Sequence, residues 1–300
     1  MEIVHLGNSS IKISALGLGT MLLSNSGRPP ESQATEVIHR ALDLGVTLID
    51  TADAYCKDET EKHHSERLIC KALQQYSSDV SCVQVATKGG IMRPNGASIR
   101  NGNPDHLRET IRTSFESLGG EKPIDIWQFH WPDPDYTIEE SMTPAKEAVE
   151  EGLVRFIGVS NFSVEQINRA RDVVDIVSVQ NQYNPWHRQP EFDGVIEYCE
   201  NEKLTFLPWS PLGGSSRVSR LEDISVISEL AKEKGVSVYS IVLAWLRAKS
   251  PCIVPIPGAS RVSSIEDSVS SVDVKLSSKE VEQIDRKTSS STSDKLSVRS

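Results

Sequence analysis

The sequence is poor in cysteine: five residues in 300, Cys56, Cys70, Cys82, Cys199 and Cys252, odd in number and with no C-x-x-C pair. Thiols scattered in this way exclude a disulfide scaffold and a thiolate zinc site, and fit a reducing, cytoplasmic setting. Long apolar runs are missing too. The longest, Tyr239–Leu246, is far short of the roughly 20 residues that span a bilayer and reads as a buried helix. Met1–His5 holds no basic segment leading into an apolar core, so no signal peptide is expected. Positive charge is in deficit, with 32 Lys and Arg against 42 Asp and Glu and a formal net charge of −10. An acidic surface repels phosphate backbones and anionic lipid, so neither nucleic acid nor membrane is an expected partner. The G-x-G-x-x-G turn of doubly wound dinucleotide folds is begun at Gly17-Leu18-Gly19 and not completed.

What is present is an ordinary globular composition, 38% hydrophobic and 25% charged, arranged as short apolar runs alternating with amphipathic segments. Strands are expected at Ala15–Gly19, Val46–Asp50, Val83–Thr87, Ile124–Phe129, Phe156–Val159, Ile176–Gln180, Leu204–Pro208 and Cys252–Pro255. Helices are expected between them, at Ala34–Leu44, Glu66–Gln75, Asp105–Leu118, Ile138–Glu151, Val164–Asp172 and Glu191–Glu202. Asn103-Pro104 marks a helix start, with Asn as N-cap and Pro at the first helical position. Eight such units predict an α/β fold, a single-domain (β/α)8 TIM barrel, over residues 1–287. The Ser-rich residues 288–300 are expected to be disordered.

Asp50, Tyr55, Lys88 and His130 each follow a predicted strand. A parallel barrel gathers strand ends at one rim, where such barrels carry out chemistry. A phenol of pKa about 10 is a poor acid at neutral pH. A nearby ammonium favours the phenolate and strengthens the acid, and a carboxylate can hold that ammonium in place. An imidazole adds a directional hydrogen bond. These groups would deliver a proton to a carbonyl oxygen while a hydride reaches its carbon.

Asp50-Thr51-Ala52-Asp53-Ala54-Tyr55, Lys88, His130-Trp131-Pro132-Asp133 and Glu151–Phe162 occur in this order, each at a strand end. With these segments the chain resembles the aldo-keto reductase family, whose members carry a D-T-A-x-x-Y segment, over about Leu16–Asp267. The resemblance implies that Tyr55 is the general acid, Lys88 its tuner, Asp50 the anchor and His130 the orienter, acting on a small-molecule aldehyde or ketone without a metal. It implies a nicotinamide cofactor, NADP(H) with NAD(H) possible. Gly19, Thr20 and Asp50 would border it, Ser160, Asn161 and Gln180 would meet its carboxamide, and Trp209 would stand where relatives commonly stack a Tyr on the ring. Ser210, Pro211, Leu212, Gly213, Ile256 and Gly258 would line its path. Ser260 and Arg261 would hold a 2′-phosphate, with Ser264 and Asp267 nearby; some relatives place Arg at the position of Ser264. The chain lacks the C-terminal extension that covers the pocket in some relatives, so an open site is expected. A nicotinamide-binding regulatory protein on the same barrel is the alternative, and the sequence sets no oligomeric state. Among the loops, 89–103 is expected to be a mobile rim from which Arg93 or Arg100 can meet an anionic substrate. Cys56, beside Tyr55, raises the question of redox sensitivity.

Overall fold

Apolar runs of five or six residues, each flanked by amphipathic helices, can bury both faces only by pairing side by side beneath a helical coat. In the computed structural model, which describes residues 1–288, they do so as seven parallel strands. These are β1 (Leu18–Gly19), β2 (Leu48–Asp50), β3 (Gln84–Gly89), β4 (Ile124–Phe129), β5 (Val154–Ser160), β6 (Ile176–Gln180) and β7 (Thr205–Phe206). Each pairs with the next in chain order. The Ser-rich stretch falls, from residue 289 on, outside the described residues.

The eighth position is filled by an extended segment and not by the full strand expected at Cys252–Pro255. Phe206 bridges Ile253 and Gly19 bridges Gly258, both parallel. The amides of Phe206, Gly17 and Gly19 donate to the carbonyls of Cys252 (2.8 Å), Pro255 (2.9 Å) and Pro257 (2.9 Å), and the ring closes. Pro251, Pro255 and Pro257 have no N–H to give, which thins this ladder to bridges. The result is a (β/α)8 barrel.

The expected helices form, with bounds shifted by a few residues. Asn103 caps Pro104–Ser117, accepting from the amides of Asp105 (2.9 Å) and His106 (3.2 Å). The expected Glu191–Glu202 helix is instead broken into Gln189–Phe192 and Val195–Asn201. Gly194, at φ 79°, takes a left-handed conformation that no helix interior accommodates. Before the barrel, an unforeseen hairpin pairs Ile3–His5 with Lys12–Ser14. Its Leu6 and Ile13 pack with Leu48, Ala86, Ile126, Val177, Leu207 and Val254, plugging one end of the barrel with an apolar floor.

Gly158 in β5 has no room for a side chain: a Cβ there would sit 2.3 Å from Ser178 Oγ and 3.0 Å from Gln128 Cγ. Gly158→Ala is expected to lower the unfolding free energy by about 1–3 kcal/mol. Adding Ser178→Ala should recover part of that loss in urea titrations; no loss, or no recovery, would contradict this packing.

Candidate active site

Above the floor the barrel interior turns polar. Asp50 ends β2 and Lys88 lies in β3, while Gln128 of β4 and Gln180 of β6 face them; all four are buried. Lys88 Nζ donates to Asp50 Oδ2 (2.7 Å), the Thr51 carbonyl (2.7 Å) and Tyr55 Oη (3.1 Å). Three acceptors use all three ammonium donors. Asp50 Oδ1 accepts from Gln180 Nε2 (2.7 Å) and, at 3.4 Å, from Gln128 Nε2. Burial works against the charge on Lys88, but Asp50 and the hydrogen bonds outweigh it and hold the ammonium above its usual pKa.

The expectation that Lys88 leaves Tyr55 more acidic than a free phenol is corrected here. Burial raises the phenol, Lys88 pulls it down by charge and hydrogen bond, and Asp50 raises it again; the net shift is upward. Tyr55 is therefore protonated at neutral pH. His130 stands beside it, ring centroids 6.0 Å apart and nearly perpendicular. Burial and the Lys88 charge push its imidazole well below the usual range, so it is neutral. Its Nδ1 is buried without a partner among the described residues.

Tyr55 and His130 open onto a cavity of about 320 Å³. Also on its wall are Gly19, Asp50, Ser160, Asn161, Gln180, Trp209, Ser210, Pro211, Leu212, Ile256 and Gly258. Asn161 clasps two loops: its Nδ2 donates to the His130 carbonyl (3.0 Å) and its Oδ1 accepts from Trp209 Nε1 (3.0 Å). Asn161 and Ser210, both on the cavity wall, have positive φ, 64° and 47°, a left-handed backbone that non-glycine residues seldom adopt. Gln180 Oε1 has no hydrogen-bond partner among the described residues. An indole beside an open amide acceptor fits a planar carboxamide-bearing ring.

Several expected contacts lie off this wall. Thr20 Oγ1 is turned to the Asp50 carbonyl (2.9 Å) and Ser65, and Asp267 accepts from Ser237 Oγ (2.7 Å). Gly213 lies against Trp186, whose ring atom is 2.4 Å from where a Cβ would stand. Ser260, Arg261 and Ser264 sit farther out, where Arg261 precedes the helix Val262–Ser270 and donates to Ser264 Oγ (3.2 Å). That helix start has no side-chain cap, which together with an exposed guanidinium suits a phosphate.

The wall also includes residues that pattern reading did not single out, among them Met21, Leu22, Asn25, Ile91 and Ser98. They carry no chemistry-bearing signature, and only the loop geometry reveals them. The 89–103 segment is not an open loop: Ile91–Met92 pairs with Ile99–Arg100. Arg100 stacks on Trp131, 4.8 Å from its ring. Cys56 is fully buried and burial pushes its thiol up to about 11, so no reactive thiolate forms beside Tyr55. No helix among the described residues is long and apolar enough to cross a membrane.

The aldo/keto reductase family model matches residues 15–289. The chain belongs to the aldo-keto reductase family. It is 32% identical over 292 residues to pyridoxine 4-dehydrogenase of Escherichia coli, covering 93% of this chain and 96% of that one. It is 31% identical over 278 residues to an uncharacterized oxidoreductase of Schizosaccharomyces pombe, covering 91% and 86%. A thermostable aldo-keto reductase crystallised with the inhibitor epalrestat superposes with a TM-score of 0.82 at 30% identity, over 96% of this chain and all of that one. The glycerol dehydrogenase of Gluconobacter oxydans has the same fold, with a TM-score of 0.84 at 23% identity over 99% and 98% of the two chains. This aldo-keto reductase is thus an oxidoreductase of the carbonyl-acting kind.

Asp53, between Asp50 and Tyr55, is buried, and no side chain among the described residues gives its carboxylate a hydrogen bond. Burial lifts its pKa from 3.8 to about 7, against the pull of Lys62 at 3.5 Å. A folded pKa above the unfolded one gives stability that is full below about pH 4 and lost as pH rises through 7. Between pH 4 and 8 the wild type should lose on the order of 4 kcal/mol more than Asp53→Asn. Equal pH slopes in denaturant titrations of the two proteins would contradict this.

Proposed function

We propose that this aldo-keto reductase reduces an aldehyde or ketone to an alcohol, with NADPH as cofactor and Tyr55 as general acid. The observation that carries the reading is the buried chain Gln180–Asp50–Lys88–Tyr55, which ends at the cavity in a phenol that keeps its proton at neutral pH. A nicotinamide bound in the cavity supplies the hydride. Ser160, Asn161, Gln180 and Trp209 are the residues to hold it, and Arg261 at its helix start is the residue to hold a 2′-phosphate.

Tyr55 donates a hydrogen bond to the carbonyl oxygen and passes its proton as negative charge builds there. Lys88 makes the departing phenolate tolerable, since its charge and hydrogen bond favour the ionised form. Asp50 keeps Lys88 charged and aimed. His130, neutral and bordering the same space, aligns the substrate oxygen without competing for the proton. Trp131, Leu22 and Ile91 give the cavity an apolar wall.

Tyr55→Phe should lower turnover of an aromatic aldehyde by at least about 100-fold with NADPH affinity retained. Undiminished turnover would remove Tyr55 from the acid role, and a wild type that binds NADPH yet turns over no carbonyl would favour the regulatory reading. Arg261→Ala should weaken NADPH roughly 10- to 100-fold more than NADH, as loss of a charge-assisted contact does. Equal losses measured by fluorescence titration would refute the phosphate role.

A further inference from the structure

We propose that Arg93 is the anchor for an anionic group on the substrate, so that the carbonyl compounds this protein reduces carry a carboxylate or a phosphate. The proposal rests on the reductase reading and adds the substrate class to it.

Among the described side chains on the cavity wall, only Asp50 and Arg93 carry formal charge, His130 being neutral. Asp50 is engaged by Lys88 and Gln180. Arg93 enters no ion pair among the described residues. Its Nη1 donates to Ser98 Oγ (2.6 Å), while Nε is buried with no partner. The Nε–Nη2 edge of the guanidinium therefore meets no acceptor among the described residues, and this is the edge that grips a carboxylate or phosphate side-on with two parallel hydrogen bonds once the side chain turns it to the cavity. The chain uses the same edge elsewhere on its own acids. Arg108 holds Glu147 through Nε (2.6 Å) and Nη2 (3.0 Å), and Arg169 holds Glu139 through Nε (2.7 Å) and Nη2 (2.6 Å). In a chain with ten more acids than bases, a cavity-lining guanidinium left without one is set apart for a ligand. A buried donor lacking a partner is costly in the free protein.

Its position is fixed by the loop that follows Tyr55. The Arg93 amide donates to the Glu59 carboxylate, and the Arg93 carbonyl accepts from the amides of Glu59 (3.0 Å) and Gly96 (3.1 Å). Glu59 belongs to a helical turn, Glu59–Glu61, capped by Asp58. Arg93 shares its side of the cavity with Tyr55, Ile91, Ser98, His130 and Trp131, from the loops after β2, β3 and β4. The residues suited to nicotinamide come from the last positions of β5 and β6 and from the loops after β5 and β7. Arg93 thus faces the substrate and not the cofactor.

The test compares kcat/KM within two matched pairs: 4-carboxybenzaldehyde against its methyl ester, and glyceraldehyde 3-phosphate against glyceraldehyde. The wild type should prefer the anionic member of at least one pair by roughly 10- to 100-fold, and the responding pair identifies carboxylate or phosphate. In Arg93→Gln the preference should fall to about one, the loss appearing in KM for the anionic member. Arg93→Lys, which keeps the charge and loses the fork, should retain part of it. Equal turnover within both pairs, unaltered by Arg93→Gln, would overturn the inference and leave the reductase reading standing. Reduction of none of the four would overturn the reductase reading and this inference with it.

Discussion

A lysine with no exposed surface stays charged only where partners replace the water it has lost, and the Lys88–Asp50 pair is the constraint on which the rest of the site depends. Removing either partner of such a pair leaves an uncompensated charge, at a cost of about 3–5 kcal/mol. The requirement reaches outward. Asp50 must end β2 one strand away from Lys88, Gln180 must come across from β6, and the Thr51 carbonyl must turn inward to take the third ammonium proton. With those positions set, the loop after β2 places Tyr55 where its hydroxyl meets Nζ. Burial, aided by the same ammonium, keeps His130 neutral. The buried ion pair thereby acts on both neighbouring rings, adding to the effect of burial at His130 and opposing it through Lys88 at Tyr55.

Burial and charge work in opposite directions throughout this rim. Tyr55 and Asp53, five residues or fewer from Asp50, are both pushed toward their neutral forms because the loop that carries them is packed inside the protein. Cys56 follows the same rule and is chemically quiet. Arg93 is the exception on the cavity wall, a cation whose guanidinium enters no ion pair among the described residues. A proton donor held neutral and a cation held open are complementary devices: the first serves the reacting oxygen, the second a distant part of the same molecule.

How much of this was legible in the sequence follows from the range of each interaction. The strands and most helices are local consequences of apolar period and caps, so β2 to β6 and the Asn103 cap lie where the pattern puts them. The four residues Asp50, Tyr55, Lys88 and His130 were legible because Asp50, Lys88 and His130 stand at the ends of strand-like runs and Tyr55 lies in the loop just after one, and barrel closure brings strand ends together. The eighth strand was misread because apolar content suggested a ladder that three prolines cannot donate to. The single helix at Glu191–Glu202 was misread because Gly194 looks tolerable in a helix until its left-handed backbone is seen. The direction of the Tyr55 shift was also out of reach. It depends on how deeply the ring is buried, a property of the packed loop and not of the Lys–Tyr pairing. Thr20 and Asp267 turn to protein partners by tertiary contacts across 30 residues each, which no local motif announces.

The buried ion pair lowers the cost of ionising Tyr55. The most direct measurement is the titration of a Cζ-labelled Tyr55 by carbon NMR, in the wild type and in the double variant Asp50→Asn/Lys88→Met, which removes the pair without leaving a lone buried charge. Tyr55 is expected to ionise at a clearly higher pH in the double variant. An unchanged or lower titration point would mean that the pair is structural alone and that the acid is tuned by something else.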